Sequence, residues 1–325
     1  MPGKITGNII GRITGNIIGR IPGKVSGKIT GLIVSSALLA CVISSFALLT
    51  GCSSPSSGTG GFVVKESETP VSAGDETTVI LFAAKSLNKV MEEVIGLYET
   101  EHPGVRIIGN YDSSGTLMTQ IQEGAACDVF FSAAQKQMNR LEEEGLLADG
   151  TRKNVVNNQV CVVTYPGSET EVKGLDTLSK AKNMALADGS VPVGNYTRKA
   201  LMKAGILAES EDPSAYTTAE VSEALGGIEI NECANVGAVT TAVSEGSNEV
   251  GTVYKSDTYG LEDKLEILEV VSYDLTGDVI YPVSQVINKE ADETEKKAAA
   301  DFTSFITSDE AKALFDKYLF DTDVE

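Results

Sequence analysis

From Thr77 onward, short runs of β-branched and aromatic residues alternate with segments whose apolar positions recur at helical spacing. The run Thr78-Val79-Ile80-Leu81-Phe82-Ala83-Ala84 is apolar throughout and too short for a helix, so it reads as a strand covered on both faces. Leu87, Val90, Met91, Val94, Ile95, Leu97 and Tyr98 then mark one face of a helix over 87–101. The same alternation predicts strands over 105–111 and 128–131, and helices over 116–122 and through Met138 and Leu141. A strand over 159–165 ends in Pro166-Gly167, a pair that interrupts regular structure and is expected to carry the chain out of this first unit. A second set follows, with strands over 184–187 and 249–254 and helices over 196–203 and 236–243. A return strand over 279–287 and helices over 293–306 and 309–318 are expected to pack back on the first unit. Strands alternating with helices predict an α/β fold with largely parallel sheets. Their order predicts two lobes joined by two crossings, lobe 1 over 77–163 and 279–325 and lobe 2 over 164–278. Such a layout leaves a ligand cleft between the lobes.

The residues before Thr77 are patterned differently. Residues 29–49 are almost uncharged, and the first 51 residues hold five bases (Lys4, Arg12, Arg20, Lys24 and Lys28) and no acid. That is the pattern of an export signal. The stretch could also just span a bilayer, but small residues directly before a cysteine favour processing. Leu49-Thr50-Gly51-Cys52 resembles a bacterial lipobox, whose cysteine is acylated and becomes the first residue of the mature protein. Residues 1–51 are therefore read as a lipoprotein signal segment and Cys52 as the lipidated residue, anchoring the protein outside the cytoplasm. Residues 52–76, rich in Ser, Gly and Pro, read as a flexible tether. Within the signal, Ile5-Thr6-Gly7-Asn8-Ile9-Ile10-Gly11-Arg12 recurs closely over 13–20. A unit that short cannot build a solenoid, and it is read as an over-long leading region or an early start.

Composition narrows the function classes. With 325 residues, 42% of them hydrophobic, the chain can bury one large or two ordinary cores. Beyond residue 51 it carries 21 bases against 46 acids, so it lacks the positive excess that a nucleic-acid binder needs. Its single histidine, His102, sits in Glu101-His102-Pro103-Gly104, a helix-ending turn, which excludes Ser-His triads and multi-histidine metal centres. Of five cysteines, Cys41 leaves with the signal and Cys52 takes the lipid. Cys127, Cys161 and Cys233 allow at most one disulfide, and Cys127 and Cys161 lie in apolar runs that suggest buried thiols.

The candidate chemistry lies where helices begin. Ala83-Ala84-Lys85-Ser86, Asp112-Ser113-Ser114-Gly115, Val191-Pro192-Val193-Gly194 and Asn235-Val236-Gly237-Ala238 each join a strand end or turn to a helix. Each offers unpaired backbone N–H groups, and Ser86 and Ser114 add hydroxyls. Any one of them is ordinary capping. Converging on one cleft, they would hold an anion without a formal cation.

These segments, together with Asp128-Val129-Phe130-Phe131-Ser132-Ala133 and Gly251-Thr252-Val253-Tyr254-Lys255-Ser256-Asp257, resemble the molybdate-binding proteins of bacterial molybdate ABC transporters. The likeness keeps its order across 77–320. It implies a two-lobed type II periplasmic-binding fold, not an enzyme and without a cofactor, that closes on molybdate or tungstate and delivers it to a membrane permease. Carried over by position, it makes Ser86 and Ser114 hydroxyl and N–H donors, Val193 and Val236 backbone N–H donors, and Tyr254 a phenol donor. The metal would be held as its oxyanion with no direct metal ligand, and the protein would act as a monomer. Val193 replaces the usual alanine, which tightens the cavity. Lys85 stands at a position often small in the family and is expected to point to solvent, and Asp112 is expected to cap its turn or face water. The alternatives are a site for another tetrahedral oxyanion, sulfate or phosphate, a serine hydrolase anchored at the cell surface, and a structural lipoprotein.

Overall fold

The computed structural model describes residues 76–324, and the signal segment, Cys52 and nearly all of the tether lie outside them. Strand β1 (Thr77–Ala84) runs through the centre of the first lobe. Val79, Leu81 and Ala83 meet one layer of the core, while Phe82 turns to a second cluster with Leu117, Ile121, Phe130 and Met138. Helix α1 (Asn88–Glu101) buries Val90, Met91, Val94 and Tyr98 on its inner stripe. It ends at His102, whose ring stacks on Tyr98 with centroids 4.0 Å apart and whose Nδ1 lies 3.0 Å from the Tyr98 carbonyl. Gly104, at φ 101°, turns the chain into β2 (Val105–Asp112). Then follow α2 (Ser114–Gln122), β3 (Val129–Phe131), α3 (Gln135–Glu143) and β4 (Lys153–Val156).

The second lobe comprises β5 (Val160–Thr164), β6 (Asn183–Ala187), α4 (Pro192–Lys203), α5 (Thr218–Ala224), β7 (Glu229–Cys233), α6 (Val236–Ser244), β8 (Val250–Tyr254), β9 (Glu266–Val270) and the single turn α7 (Tyr273–Thr276). The chain then returns through β10 (Tyr281–Gln285), and α8 (Glu293–Phe305) and α9 (Asp309–Lys317) pack on β1 and α1 of the first lobe. The two sheets have the orders β2-β1-β3-β10-β4 and β7-β6-β8-β5-β9.

Three expectations are corrected. The sheets are mixed rather than largely parallel: β5 and β10, the strands that follow the crossings, run antiparallel to both neighbours. The first crossing falls at Asn157-Asn158-Gln159 and not after Pro166-Gly167, because Val160–Thr164 pairs with β8 and β9 of the second sheet. Lobe 1 therefore gives up its last strand from the 77–163 span. Finally, α4 starts at Pro192, four residues earlier than periodicity indicated. Proline at the first helical position has its φ preset and no N–H to leave unpaired.

The two crossings lie side by side. Asn157 Oδ1 accepts from the Asn158 N–H at 2.9 Å and from the Val279 N–H at 2.8 Å. Asn157 Nδ2 donates to Asp278 at 3.2 Å. Side-chain amides thus satisfy backbone that neither sheet reaches. Cys127, Cys161 and Cys233 are all free and buried, and among the described residues no helix is long and apolar enough to cross a membrane.

Candidate functional site

Three helices of nine residues or more begin at the seam between the lobes. Ser113 caps α2 by accepting from the Thr116 N–H at 3.1 Å, and Asn235 caps α6 by accepting from the Ala238 N–H at 3.0 Å. In both, the cap takes the third N–H of the helix and leaves the first two open, those of Ser114 and Gly115 and of Val236 and Gly237. Helix α4 has no side-chain cap, and with Pro192 at its first position Val193 presents the first free N–H. Gly194 lets this helix start tight against the end of β6, since a Cβ there would lie 2.4 Å from the Ala187 carbonyl oxygen. Arg198, fully buried, fastens the same corner by donating to the Ala187 carbonyl at 2.8 Å and the Gly194 carbonyl at 3.0 Å. Sequence reading passed over Arg198, because a cation on a helix normally reads as solvated.

Ser86, Ser114, Val193, Val236 and Tyr254 line one cavity of about 10 Å³, room for about one water-sized molecule as it stands. The first two come from lobe 1 and the others from lobe 2. Ser114 Oγ accepts from the Ala133 N–H at 2.9 Å, so its own hydrogen is left for the cavity. Ser86 Oγ lies 3.0 Å from Tyr281 Oη. Tyr254 is 1% exposed, and its hydroxyl has no partner. Burial pushes that phenol well above its ordinary pKa, so it stays a donor. No carboxylate, carboxamide or imidazole lines the cavity. Among the described residues, no cluster of three or more His, Cys, Asp or Glu could hold a bare metal ion. The single histidine, His102, is bound to its own helix end and does not line the cavity.

Around the cavity the lobes touch through few polar contacts. Asp112 Oδ1 accepts from Asn235 Nδ2 at 3.0 Å and from the Ser113 N–H at 2.7 Å. Strand β2 does reach Asp112, yet the carboxylate is taken up by this bond across the seam and does not line the cavity. Lys136 Nζ meets Asp212 Oδ1 at 3.1 Å, and Lys89 Nζ donates to the Tyr259 carbonyl at 2.9 Å. Lys85 also reaches the second lobe. Its stem crosses to the start of α6, where a Cβ on Gly237 would come within 3.0 Å of Cγ, and the residue lines the cavity rim. The bare surface of Gly237 gives the stem an apolar seat.

The model of the bacterial extracellular solute-binding protein family matches residues 79–321. The chain belongs to this family. A member so defined takes up a solute outside the cytoplasm, and the two-lobed fold with a cavity at the seam is the architecture for it. A Bacillus subtilis protein provisionally named an ABC transporter substrate-binding lipoprotein, YvgL, is 29% identical over 87% of this chain and 97% of its own length. The molybdate-binding protein ModA of Haemophilus influenzae is 28% identical over 74% of this chain and 89% of its own. The substrate-binding domain of a provisionally assigned molybdenum ABC transporter from Clostridium difficile is 29% identical. It superposes with a TM-score of 0.55, covering 76% of this chain and 99% of that one.

Proposed function

We propose that this solute-binding protein captures molybdate, and tungstate as well, and hands it to the permease of an ABC transporter. The observation that carries this reading is the unpartnered, buried Tyr254 hydroxyl in a cavity that offers hydroxyl and N–H donors and no carboxylate or carboxamide. A fully deprotonated tetrahedral oxyanion accepts at every oxygen, and each charge-assisted bond to it contributes about 1.5–3 kcal/mol. Hydrogen phosphate must place a proton somewhere and finds no carboxylate here. Polarity thus supports this class of anion, and the names of the relatives support molybdate within it. The Leu49-Thr50-Gly51-Cys52 segment supports anchoring through a lipid on Cys52, with the folded body acting as a monomer on its tether.

A thermal-shift series tests the ligand. Molybdate and tungstate at a hundred times Kd stabilise the protein by about 2.7 kcal/mol, and sulfate and phosphate at the same concentration leave the melting temperature unchanged. An equal shift from sulfate overturns the molybdate assignment, and a shift from phosphate alone overturns the class. For the anchor, mass spectrometry of membrane-extracted protein is expected to find an acylated N-terminal Cys52, and a retained 29–51 segment would contradict it.

A further inference from the structure

Tyr281 and Asn158 lie directly behind Ser86. Tyr281 Oη is 3.0 Å from Ser86 Oγ and 3.2 Å from Asn158 Nδ2, and Asn158 Nδ2 also donates to Ser256 Oγ at 2.9 Å. The far end of this chain sets the direction of its first bond. Asn158 Oδ1 accepts from the Gln159 backbone N–H at 2.9 Å, which fixes which end of the amide is oxygen and leaves the NH₂ facing Tyr281 and Ser256. An amide NH₂ only donates, so Tyr281 Oη accepts from it. Its single hydrogen is then within reach of Ser86 Oγ, 3.0 Å away, and that is the direction the proposal takes. Ser86 accepts from behind, and its own hydrogen is left to point into the cavity.

We propose that Asn158 and Tyr281 are positioning residues that fix the Ser86 hydroxyl as a donor, and so make the site reject anions that carry a proton. The proposal rests on the oxyanion reading of the cavity and deepens it. Tyr281 is fully buried, and burial holds its phenol well above the ordinary pKa, so its proton is always present to be directed. Asn158 belongs to the first crossing and Ser256 follows β8 in lobe 2. The relay therefore spans both lobes, and its polarity is complete only when crossing, lobe 2 and lobe 1 are in register. Ser114 reaches the same donor state by a shorter route, accepting from the Ala133 N–H.

The test reverses the relay. In Asn158→Asp the carboxylate accepts from Tyr281, Tyr281 then accepts from Ser86, and the Ser86 hydrogen is drawn out of the cavity. In Tyr281→Phe the relay is cut while the ring contacts with Tyr254 and Phe320 remain. Molybdate and phosphate affinities are measured by titration calorimetry for wild type, both single variants and the double variant. Asn158→Asp is expected to weaken molybdate binding at least tenfold in the wild-type background and less than threefold in the Tyr281→Phe background. Tyr281→Phe, which frees an acceptor on Ser86, is expected to narrow the ratio of phosphate to molybdate Kd at least fivefold. Equal losses from Asn158→Asp in both backgrounds would mean simple charge repulsion and overturn the relay. An unchanged anion ratio in Tyr281→Phe would overturn the selectivity claim. If wild type binds no oxyanion, the reading of the cavity falls and this proposal with it, whereas binding by wild type with uncoupled variants sinks the relay alone.

Discussion

Tyr254→Phe separates ligand binding from folding because the two effects have opposite signs. The substitution removes one oxygen and keeps the ring, which packs edge-on against Tyr281 with centroids 5.7 Å apart. In the closed cavity that oxygen has no protein partner, so its loss breaks no internal hydrogen bond. A buried polar group left unpaired costs about 1–3 kcal/mol, and removing it returns part of that to the fold. The ligand-free variant is therefore expected to melt at the wild-type temperature or a few degrees above, since about 1 kcal/mol moves a domain of this size by roughly 2–4 °C. Binding moves the other way. A charge-assisted bond of about 1.5–3 kcal/mol corresponds to a loss of about ten- to a hundredfold in molybdate affinity. Differential scanning fluorimetry without ligand and calorimetric titration with molybdate read the two halves. A free-protein melting temperature lowered by several degrees would show that the hydroxyl has a structural partner. An affinity within threefold of wild type would show that it never meets the anion.

Asp112→Asn keeps an oxygen for the Ser113 N–H and for Asn235 and lies outside the cavity lining, so molybdate affinity is expected to stay within about threefold, below the roughly 1.4 kcal/mol of a tenfold change; abolished phosphate binding in the same variant would instead make Asp112 the proton acceptor of a phosphate site. Gly194→Ala would place a Cβ 2.2 Å from the Asp188 carbonyl oxygen, a backbone clash expected to cost about 2–3 kcal/mol in a urea titration, and a neutral result would mean that α4 can shift. Asp257, whose carboxylate accepts from the Tyr254 N–H at 3.0 Å, has its pKa pushed up to about 7, chiefly by burial and against the pull of Lys89. The folded state then holds a proton that the unfolded state releases, so this group's contribution to stability falls as pH rises from about 4 to 7. Asp257→Asn should flatten that slope, and parallel wild-type and variant profiles would reject the shifted pKa.

How much of this the sequence disclosed follows from burial. Strands covered on both faces, such as β1 and β8, stand out as unbroken apolar runs. Three of the four edge strands did not: β7 reads Glu-Ile-Asn-Glu-Cys and is largely exposed, and β9 and β4 are similarly polar on their open sides. A strand such as β5 shows the same pattern in either sheet, because period and burial carry no record of the partner. That is why the crossing was placed after Pro166. The local signal was Asn157-Asn158, whose side chains satisfy the turn. At the site, the serine and asparagine helix starts were legible as caps and Ser86 and Ser114 as candidates. Val193, Val236 and Tyr254 came from the resemblance, and only the fold brings all five to one cavity. Tyr281 was hidden as one more aromatic in a return strand, since nothing local distinguishes a buried ring from a buried hydroxyl with a task.

A body with 21 bases and 46 acids beyond residue 51 holds an anion best with neutral donors, for reasons of both range and reversibility. The repulsion it exerts at a distance is screened within about 8 Å at physiological salt, while hydrogen bonds in a dry cavity act at contact and gain from the low dielectric. A buried cation in their place would need a counter-charge whenever the site stood empty, or would force it open. Hydroxyl and N–H groups are hydrated as soon as the lobes part. Closure by itself is weakly held: the Lys136–Asp212 pair is 60% and 55% exposed, and such surface pairs contribute about 0–1 kcal/mol. The donors, by contrast, are divided between the lobes, Ser86 and Ser114 on one and Val193, Val236 and Tyr254 on the other. The proposed oxyanion would satisfy both sets at once. On the proposed function the bound anion would serve as the main bond between the lobes, and a permease that recognised the closed shape would need no contact with the anion to know that it is there.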